Sequence, residues 1–125
     1  MQGLPARFPA DPWLLEQATA LRAQAATLST QLHEGLIVTG DWFVDSKDKM
    51  REIVGHFPEA KAVDMESCAI AQTCYINKVP FISFRVVSDM PLRDSHASQY
   101  HDFWATVAAQ SFELMRAFVE KLRTA

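Results

Sequence analysis

The sequence predicts an α/β fold in which about three mostly parallel strands are flanked by helices. Short apolar, β-branched runs alternate along the chain with longer segments in which apolar residues recur at helical spacing. The apolar runs lack polar alternation, which is typical of strands that are covered on both faces. The 125 residues include 49% hydrophobic and 22% charged residues, as ordinary globular domains do. Long disorder and coiled-coil arrays are therefore excluded.

The sequence of the first third of the chain predicts an irregular arm, a helix and a strand. The proline-rich segment before Asp11 is predicted to be an irregular arm. Asp11 then supplies a capping carboxylate, and Pro12 occupies the first helical position. Apolar residues at helical spacing predict a helix from there to about Leu32. Gly35 breaks this pattern, and the run at 36–39 predicts the first strand.

The rest of the chain predicts two further strands and three helices. Helices are expected at 46–56 and 66–77, separated by a short strand at 60–63. The clearest strand is 79–87, whose proline lies near its start, where a missing N–H does least harm. A long terminal helix is predicted from one apolar stripe, formed by Trp104, Ala108, Phe112, Met115, Val119 and Leu122. Because three strands make a thin sheet, we expect something outside this chain to complete it.

Charge and cysteine content restrict the class of protein. Twelve basic and fifteen acidic residues give a net charge of −3, so no basic face for nucleic acid is expected. The longest apolar run is too short to span a membrane. Cys68 and Cys74 point in different directions on the predicted helix, so a mutual disulfide is not expected. Two free thiols favour a cytoplasmic location. The four histidines show no metal-ligand spacing.

Carboxylates at the strand ends are the first candidate functional residues, because ligands bind beyond the carboxyl ends of strands in open α/β sheets. Asp64 and Glu66 follow the second predicted strand, and Asp89 follows the third. For Asp64 we favour a helix cap, whereas Glu66 is equally consistent with a helix-dipole partner and with a ligand contact. Asp89 is either a turn former or a carboxyl group with a raised pKa that donates a proton.

Other candidates lie next to these carboxylates. Arg85 lies four residues before Asp89, on the same face of the predicted strand. Burying an arginine requires an anionic or carbonyl partner. Arg85 is therefore either part of a structural ion pair or a group that orients a polar ligand. Trp42 and Phe43 follow the first predicted strand. They are either packing residues or aromatic rings that stack on a flat base.

Three runs, at 35–43, 62–71 and 79–89, together resemble one family in order and spacing. They are similar to the C-terminal half of bacterial 5′-methylthioadenosine/S-adenosylhomocysteine nucleosidases, which belong to the purine nucleoside phosphorylase superfamily. The resemblance implies that residues 1–125 are the C-terminal portion of a single nucleosidase domain, without its N-terminal half. It also implies a partial nucleoside phosphorylase-like three-layer fold.

The resemblance implies a role for each matching residue. Asp89 resembles the general acid that protonates N7 of the adenine leaving group. The remaining matches resemble substrate-binding positions: Phe43 stacks on the base, the Val44 backbone bonds the adenine edge, Met65 and Glu66 contact the ribose, Arg85 lies near the sugar hydroxyls and the attacking water, Ser88 precedes the acid, and Tyr100 lies near the 5′-alkylthio group. Asp64 stands where the family commonly has glutamate, which leaves its role open.

The implied reaction is hydrolysis of the N-glycosidic bond with release of adenine, with no metal or organic cofactor. The implied partners are an adenine nucleoside and a second subunit or an N-terminal half, with neither nucleic acid nor membrane. No residue matches the family's water-activating glutamate, so we expect little or no turnover by this chain alone. Two alternatives are a phosphate-dependent phosphorylase and a non-catalytic remnant that binds nucleosides or dimerises. The preference between the two thio-nucleosides stays open.

Overall fold

Helices alternate with two parallel strands in the computed structural model, which describes residues 3–28, 30–88, 90–92 and 107–125. The predicted α/β class is confirmed. Over these ranges the elements are α1 (Pro12–Thr19), α2 (Arg22–Thr27), β1 (Leu36–Thr39), α3 (Lys47–His56), β2 (Ala60–Asp64), α4 (Ser67–Ile76) and α5 (Ala108–Thr124). No helix within the described ranges is long and apolar enough to cross a membrane.

The first helical segment starts as predicted but is broken in the middle. Pro12 opens α1, and the Asp11 carboxylate accepts a hydrogen bond from the Leu14 amide at 3.0 Å. A single helix to Leu32 is wrong, because α1 ends at Thr19. At the break the Leu21 amide bonds the Ala18 carbonyl at 3.0 Å, a bond to the third residue back that tightens the backbone. The buried Leu21 side chain lies at this break.

The two strands form a parallel sheet, and α3 is the crossover between them. Ile37 lies opposite Ala62, Val38 opposite Val63, and Thr39 opposite Asp64. A side-chain cap at Ser46, which accepts from the Lys49 amide at 3.4 Å, precedes α3. The register therefore places the last residues of both strands side by side.

The prediction of a third strand at 79–87 is wrong, because the sheet of the described residues contains only β1 and β2. Side chains of this segment do alternate as in an extended chain. Ile82 and Phe84 pack against the helical core, whereas Ser83 contacts Ser67 at the start of α4 and Arg85 contacts Asp64 at the end of β2. The strand was predicted from the apolar, β-branched character of this run, which does not by itself determine whether the backbone pairs with another strand. The Phe81 carbonyl, however, accepts a hydrogen bond from Asp11 in the N-terminal arm, at 2.7 Å.

The hydrophobic core lies between the N-terminal helices and α5. Its buried residues are Ala18, Leu21, Ala25, Leu114 and Phe118. The Phe84 and Phe118 rings stack in a tilted arrangement with centroids 4.8 Å apart. The predicted terminal helix is confirmed over 108–124, but its buried face differs from the predicted stripe, since Phe112 and Val119 are exposed. Because apolar residues lie on more than one side of α5, the stripe alone did not identify the face that packs. Trp104 lies outside the described residues.

Candidate functional site

Six polar side chains meet at the carboxyl ends of β1 and β2. The register brings Thr39 beside Asp64, α4 begins three residues later, and the segment after α4 passes alongside. We call this group the Arg85 cluster, and its members are Thr39, Asp64, Glu66, Ser67, Ser83 and Arg85. The predicted meeting of polar groups at the strand ends is therefore found between β1, β2 and the 79–87 segment.

Asp64 is the buried anion of the Arg85 cluster, with 6% of its side chain exposed. Its Oδ1 accepts hydrogen bonds from Thr39 Oγ1 at 2.7 Å and from the Ser67 amide at 3.3 Å. Its Oδ2 accepts from Ser67 Oγ and forms an ion pair with Arg85 Nε. Glu66 occupies the N-cap position of α4 without a side-chain cap bond, and the Asp64 carboxylate, two residues earlier, accepts from the first N–H of the helix instead. The same carboxylate also anchors the arginine.

These contacts favour the ionised form of Asp64. Burial alone would raise the pKa of this carboxyl group, because it disfavours the charge. The hydrogen bonds from the Ser67 and Thr39 side chains, the positive charge of Arg85 and the Ser67 amide together outweigh burial and lower the pKa below its usual value. Asp64 is therefore negatively charged at neutral pH.

Replacing Asp64 by asparagine tests this assignment through the pH dependence of stability. Because the folded-state pKa is lowered, the carboxylate stabilises the fold at pH values above its unfolded pKa, near 3.9, and loses that contribution as pH falls through the folded pKa. We expect Asp64→Asn to lower the free energy of unfolding by about 1–3 kcal/mol at pH 7. Urea unfolding at a series of pH values should show the gap from wild type shrinking below about pH 4.

Asp48→Asn is the matched control, because its carboxylate is almost fully exposed and pairs with Arg51 on the surface of α3, at 3.1 Å. Such a change should alter the free energy of unfolding by less than about 0.5 kcal/mol. An Asp64→Asn variant that unfolds like wild type at pH 7 would show that Asp64 is not the anchor of the cluster.

Arg85 connects this buried carboxylate to an exposed one. Its side chain is 34% exposed, and Nη2 donates to Glu66 Oε2 at 3.1 Å while Nε faces Asp64. Glu66, at 63% exposed, also accepts a long contact from the Met65 amide on the same Oε2. Within the described ranges no hydrogen bond reaches Glu66 Oε1. The structural ion pair that the sequence offered for Arg85 is therefore found, and the orientation of a polar ligand by Arg85 stays a prediction.

The loop after β1 presents its aromatic side chains to solvent. Phe43 is 70% exposed and Trp42 is half-exposed, so neither is a core packing residue. Lys49, on the first turn of α3, donates to the Phe43 carbonyl at 3.1 Å and to Asp45 Oδ1 at 2.9 Å. These bonds tie the loop backbone to α3 while the Phe43 ring stays exposed. No hydrogen bond or ring contact among the described residues joins Phe43 to the Arg85 cluster.

The other predicted site residues fall into two groups. Val44 and Ser88 are partly buried, and Met65 is exposed between Asp64 and Glu66. Asp89 and Tyr100 lie outside the described residues. Within the described ranges, no three His, Cys, Asp or Glu side chains come together as a metal site.

Sequence reasoning missed the three hydroxyl groups of the cluster. Ser67 Oγ bonds Asp64 and lies 2.9 Å from Ser83 Oγ, and Thr39 Oγ1 bonds Asp64. Two signals were available. Thr39 ends a strand beside the second strand end, and Ser83 is two residues before Arg85, which places both on one side of an extended segment.

Comparison with known proteins identifies the family. The family model described as the phosphorylase superfamily matches residues 2–121, almost the whole chain. The chain belongs to the phosphorylase superfamily. The resemblance noted from the three sequence runs is therefore confirmed at the level of the superfamily, and solved structures extend it to the nucleosidases.

Three solved structures illustrate the similarity of this phosphorylase-superfamily chain. The 5′-methylthioadenosine/S-adenosylhomocysteine nucleosidase of Neisseria meningitidis, in complex with methylthio-immucillin-A, is 41% identical with a TM-score of 0.80 over 95% of this chain and 50% of that one. A Borrelia burgdorferi B31 protein assigned as such a nucleosidase and bound to adenine is 35% identical, with a TM-score of 0.84 over 96% and 50%. The Streptococcus pneumoniae nucleosidase, with a transition-state inhibitor, is 33% identical with a TM-score of 0.81 over 98% and 51%.

The chain spans about half the length of each of these solved structures. The partial nucleoside phosphorylase-like fold that the resemblance implied is confirmed by this overlap and by the parallel sheet with its flanking helices.

Proposed function

We propose that this chain forms the adenine and sugar-hydroxyl side of a nucleosidase site that hydrolyses the N-glycosidic bond of 5′-methylthioadenosine or S-adenosylhomocysteine. The observation that carries this proposal is the bridge from Asp64 through Arg85 to the exposed Glu66 at the strand ends. The bound adenine and the transition-state inhibitor in similar structures support the same class of substrate.

Glu66 is the proposed acceptor for the sugar hydroxyls. Its Oε2 bonds Arg85, so Oε1 is the oxygen that we assign to the sugar hydroxyls. Cleavage of the bond from C1′ to N9 leaves positive charge on the sugar ring, as in glycoside hydrolysis. An ionised carboxylate near that ring favours the developing charge. Arg85 holds the carboxylate in place and contributes its own N–H groups near the hydroxyls.

The base side of the proposed site completes the reaction. Asp89, in its neutral form, donates a proton to N7 while the electron pair of the broken bond moves into the adenine ring. The oxygen of a water molecule bonds C1′ and loses its proton to a base. Phe43 stacks on the adenine with its exposed ring, and the Val44 backbone bonds the adenine edge. Met65, Ser88 and Tyr100 contact the remaining parts of the nucleoside.

Phosphate-dependent cleavage is a second candidate, favoured by the description of the family model as the phosphorylase superfamily. Phosphate would then take the place of water at C1′, and the product would be a sugar 1-phosphate. The two reactions use the same base and hydroxyl contacts. They differ in whether adenine release depends on phosphate.

The function is tested by a fusion protein in which this chain replaces the matching half of the Neisseria meningitidis nucleosidase. The overlap of 95% of this chain with 50% of that one sets the junction. We expect the fusion to release adenine from 5′-methylthioadenosine, followed by the absorbance change on cleavage. The Neisseria half without this chain is the control and should release none.

Association and location form a further part of the proposal. We propose a homodimer or an association with the remaining half of a nucleosidase, and a cytoplasmic location. Exposed large apolar side chains on α4 and α5, among them Ile70, Tyr75, Phe112 and Val119, support the association. Two free cysteine thiols support a reducing compartment.

A further inference from the structure

Ser67 is buried in the Arg85 cluster although it is polar. With 6% of its surface exposed, it is the most completely buried polar residue of the described ranges. A buried hydroxyl is costly unless its hydrogen bonds are made. The bonds of Ser67 therefore indicate what holds it there and what it holds in turn.

The Ser67 hydroxyl uses its whole hydrogen-bonding capacity. A serine hydroxyl donates one hydrogen bond and accepts two. Because Asp64 is ionised and has no proton to give, the hydroxyl donates to Asp64 Oδ2. It then accepts from Ser83 Oγ at 2.9 Å and from the Arg85 guanidinium, whose Nε and Nη2 both lie 3.4 Å away. Ser67 thus joins the buried anion to the arginine.

The Arg85 guanidinium, held by Ser67 and Asp64, in turn restricts the position of the Glu66 carboxylate. The guanidinium group is planar and rigid, so fixing Nε fixes the direction of Nη2 as well. Nη2 is the atom that bonds Glu66 Oε2 at 3.1 Å. Glu66 is largely exposed, and an exposed carboxylate has several accessible rotamers unless a partner selects one. The order of contacts is therefore Ser67 and Asp64, then Arg85, then Glu66.

We infer that Ser67 is a positioning residue that sets, through Arg85, the orientation of the Glu66 carboxylate toward the sugar hydroxyls of a bound nucleoside. This inference rests on the proposed function and specifies which part of the substrate the cluster recognises. Because Ser67 is buried behind Arg85, the inference gives it no contact of its own with the base or the sugar. Its removal should consequently affect recognition of the hydroxyls and leave recognition of the base unchanged.

Calorimetry with two ligands measures how much the two sugar hydroxyls contribute to the affinity for a nucleoside. Adenosine and 2′,3′-dideoxyadenosine differ only in the two sugar hydroxyls, so their affinity ratio for the 125-residue chain measures hydroxyl recognition. We expect wild type to prefer adenosine, and Ser67→Ala to reduce that preference about three- to tenfold through weaker adenosine binding. The affinity for dideoxyadenosine should change less than about twofold. Ser111→Ala is the control, since it removes a hydroxyl that bonds the Val107 carbonyl at the start of α5.

A second measurement does not depend on ligand binding. Hydrogen exchange of the Arg85 Nε–H group, assigned by NMR through its loss in Arg85→Lys, reports how firmly the guanidinium is held. In Ser67→Ala we expect this exchange to be about fivefold faster or more, because opening of the contact costs less. Ser111→Ala should exchange at the wild-type rate.

The outcomes separate this inference from the proposed function. If wild type prefers adenosine and Ser67→Ala keeps the full preference, the positioning role is overturned while the proposed function stands. If wild type does not prefer adenosine, the proposed hydroxyl contact is contradicted. In that case the exchange rate of Arg85 Nε–H in Ser67→Ala tests whether Ser67 positions Arg85. An unchanged rate overturns this role, and a faster rate supports it.

Discussion

Replacing Asp89 by asparagine is expected to slow adenine release by about two to four orders of magnitude in the fusion with the Neisseria half. Asparagine is close in size to aspartate but cannot donate a carboxyl proton to the leaving base. Adenine is a poor leaving group as an anion, so the loss of its proton donor acts on the bond-breaking step. The rate constant for adenine release at saturating 5′-methylthioadenosine is the quantity to measure, since it separates chemistry from binding.

Asp48→Asn in the same fusion is the control for this prediction. Asp48 lies on the exposed surface of α3 and pairs there with Arg51, so its replacement should leave the rate within about twofold of the unmodified fusion. Near-normal turnover by Asp89→Asn would show that another group protonates the base, and Asp89 would return to its alternative interpretation as a turn former.

Replacing Phe118 by alanine is expected to lower the free energy of unfolding by about 3–5 kcal/mol. Phe118 is buried among Ala18, Leu21 and Leu114, and its ring stacks on Phe84 at 4.8 Å. Alanine leaves a cavity there and removes the ring contact. Because Phe84 is next to Arg85, the loss also weakens the support of the segment that carries the Arg85 cluster. Chemical unfolding at neutral pH measures the change.

Phe112→Ala provides the matched comparison on the same helix. Phe112 is 67% exposed, so we expect its removal to change the free energy of unfolding by less than about 0.5 kcal/mol. A larger loss for Phe112→Ala than for Phe118→Ala would place the packed face of α5 on the Phe112 side, as the apolar stripe in the sequence predicted, and would contradict the burial of Phe118 in the core.

The elements with local signals were predictable from the sequence. The Asp11-Pro12 start of α1 and the span of α3 follow from capping residues and helical spacing, and both are confirmed. The strand at 79–87 could not be decided in this way, because an apolar, β-branched run does not determine whether its backbone pairs with another strand. The break at Leu21 coincides with burial of this side chain in one cluster with Leu114 and Phe118 of α5, residues far away in the sequence.

The candidate site shows the same division. The strand-end position of Asp64 and Glu66 and the need of Arg85 for an anionic partner could be predicted from residue type and spacing, and the ion pairs bear out that need. The hydrogen bonds by which Ser67 joins Asp64 to Arg85 could not be predicted, because a serine at the start of a helix has an ordinary local explanation. Its partners Ser83 and Arg85 are 16 and 18 residues away and are brought to it only by the fold.

The central claim is that this chain supplies the adenine and hydroxyl side of a hydrolytic nucleosidase site. The most direct measurement is adenine release from 5′-methylthioadenosine by the fusion with the Neisseria half, with and without added phosphate. We predict release at a rate that does not depend on phosphate, with the free 5-methylthioribose sugar as the second product. A folded fusion that binds methylthio-immucillin-A but releases adenine only when phosphate is added, or not at all, would contradict the claim.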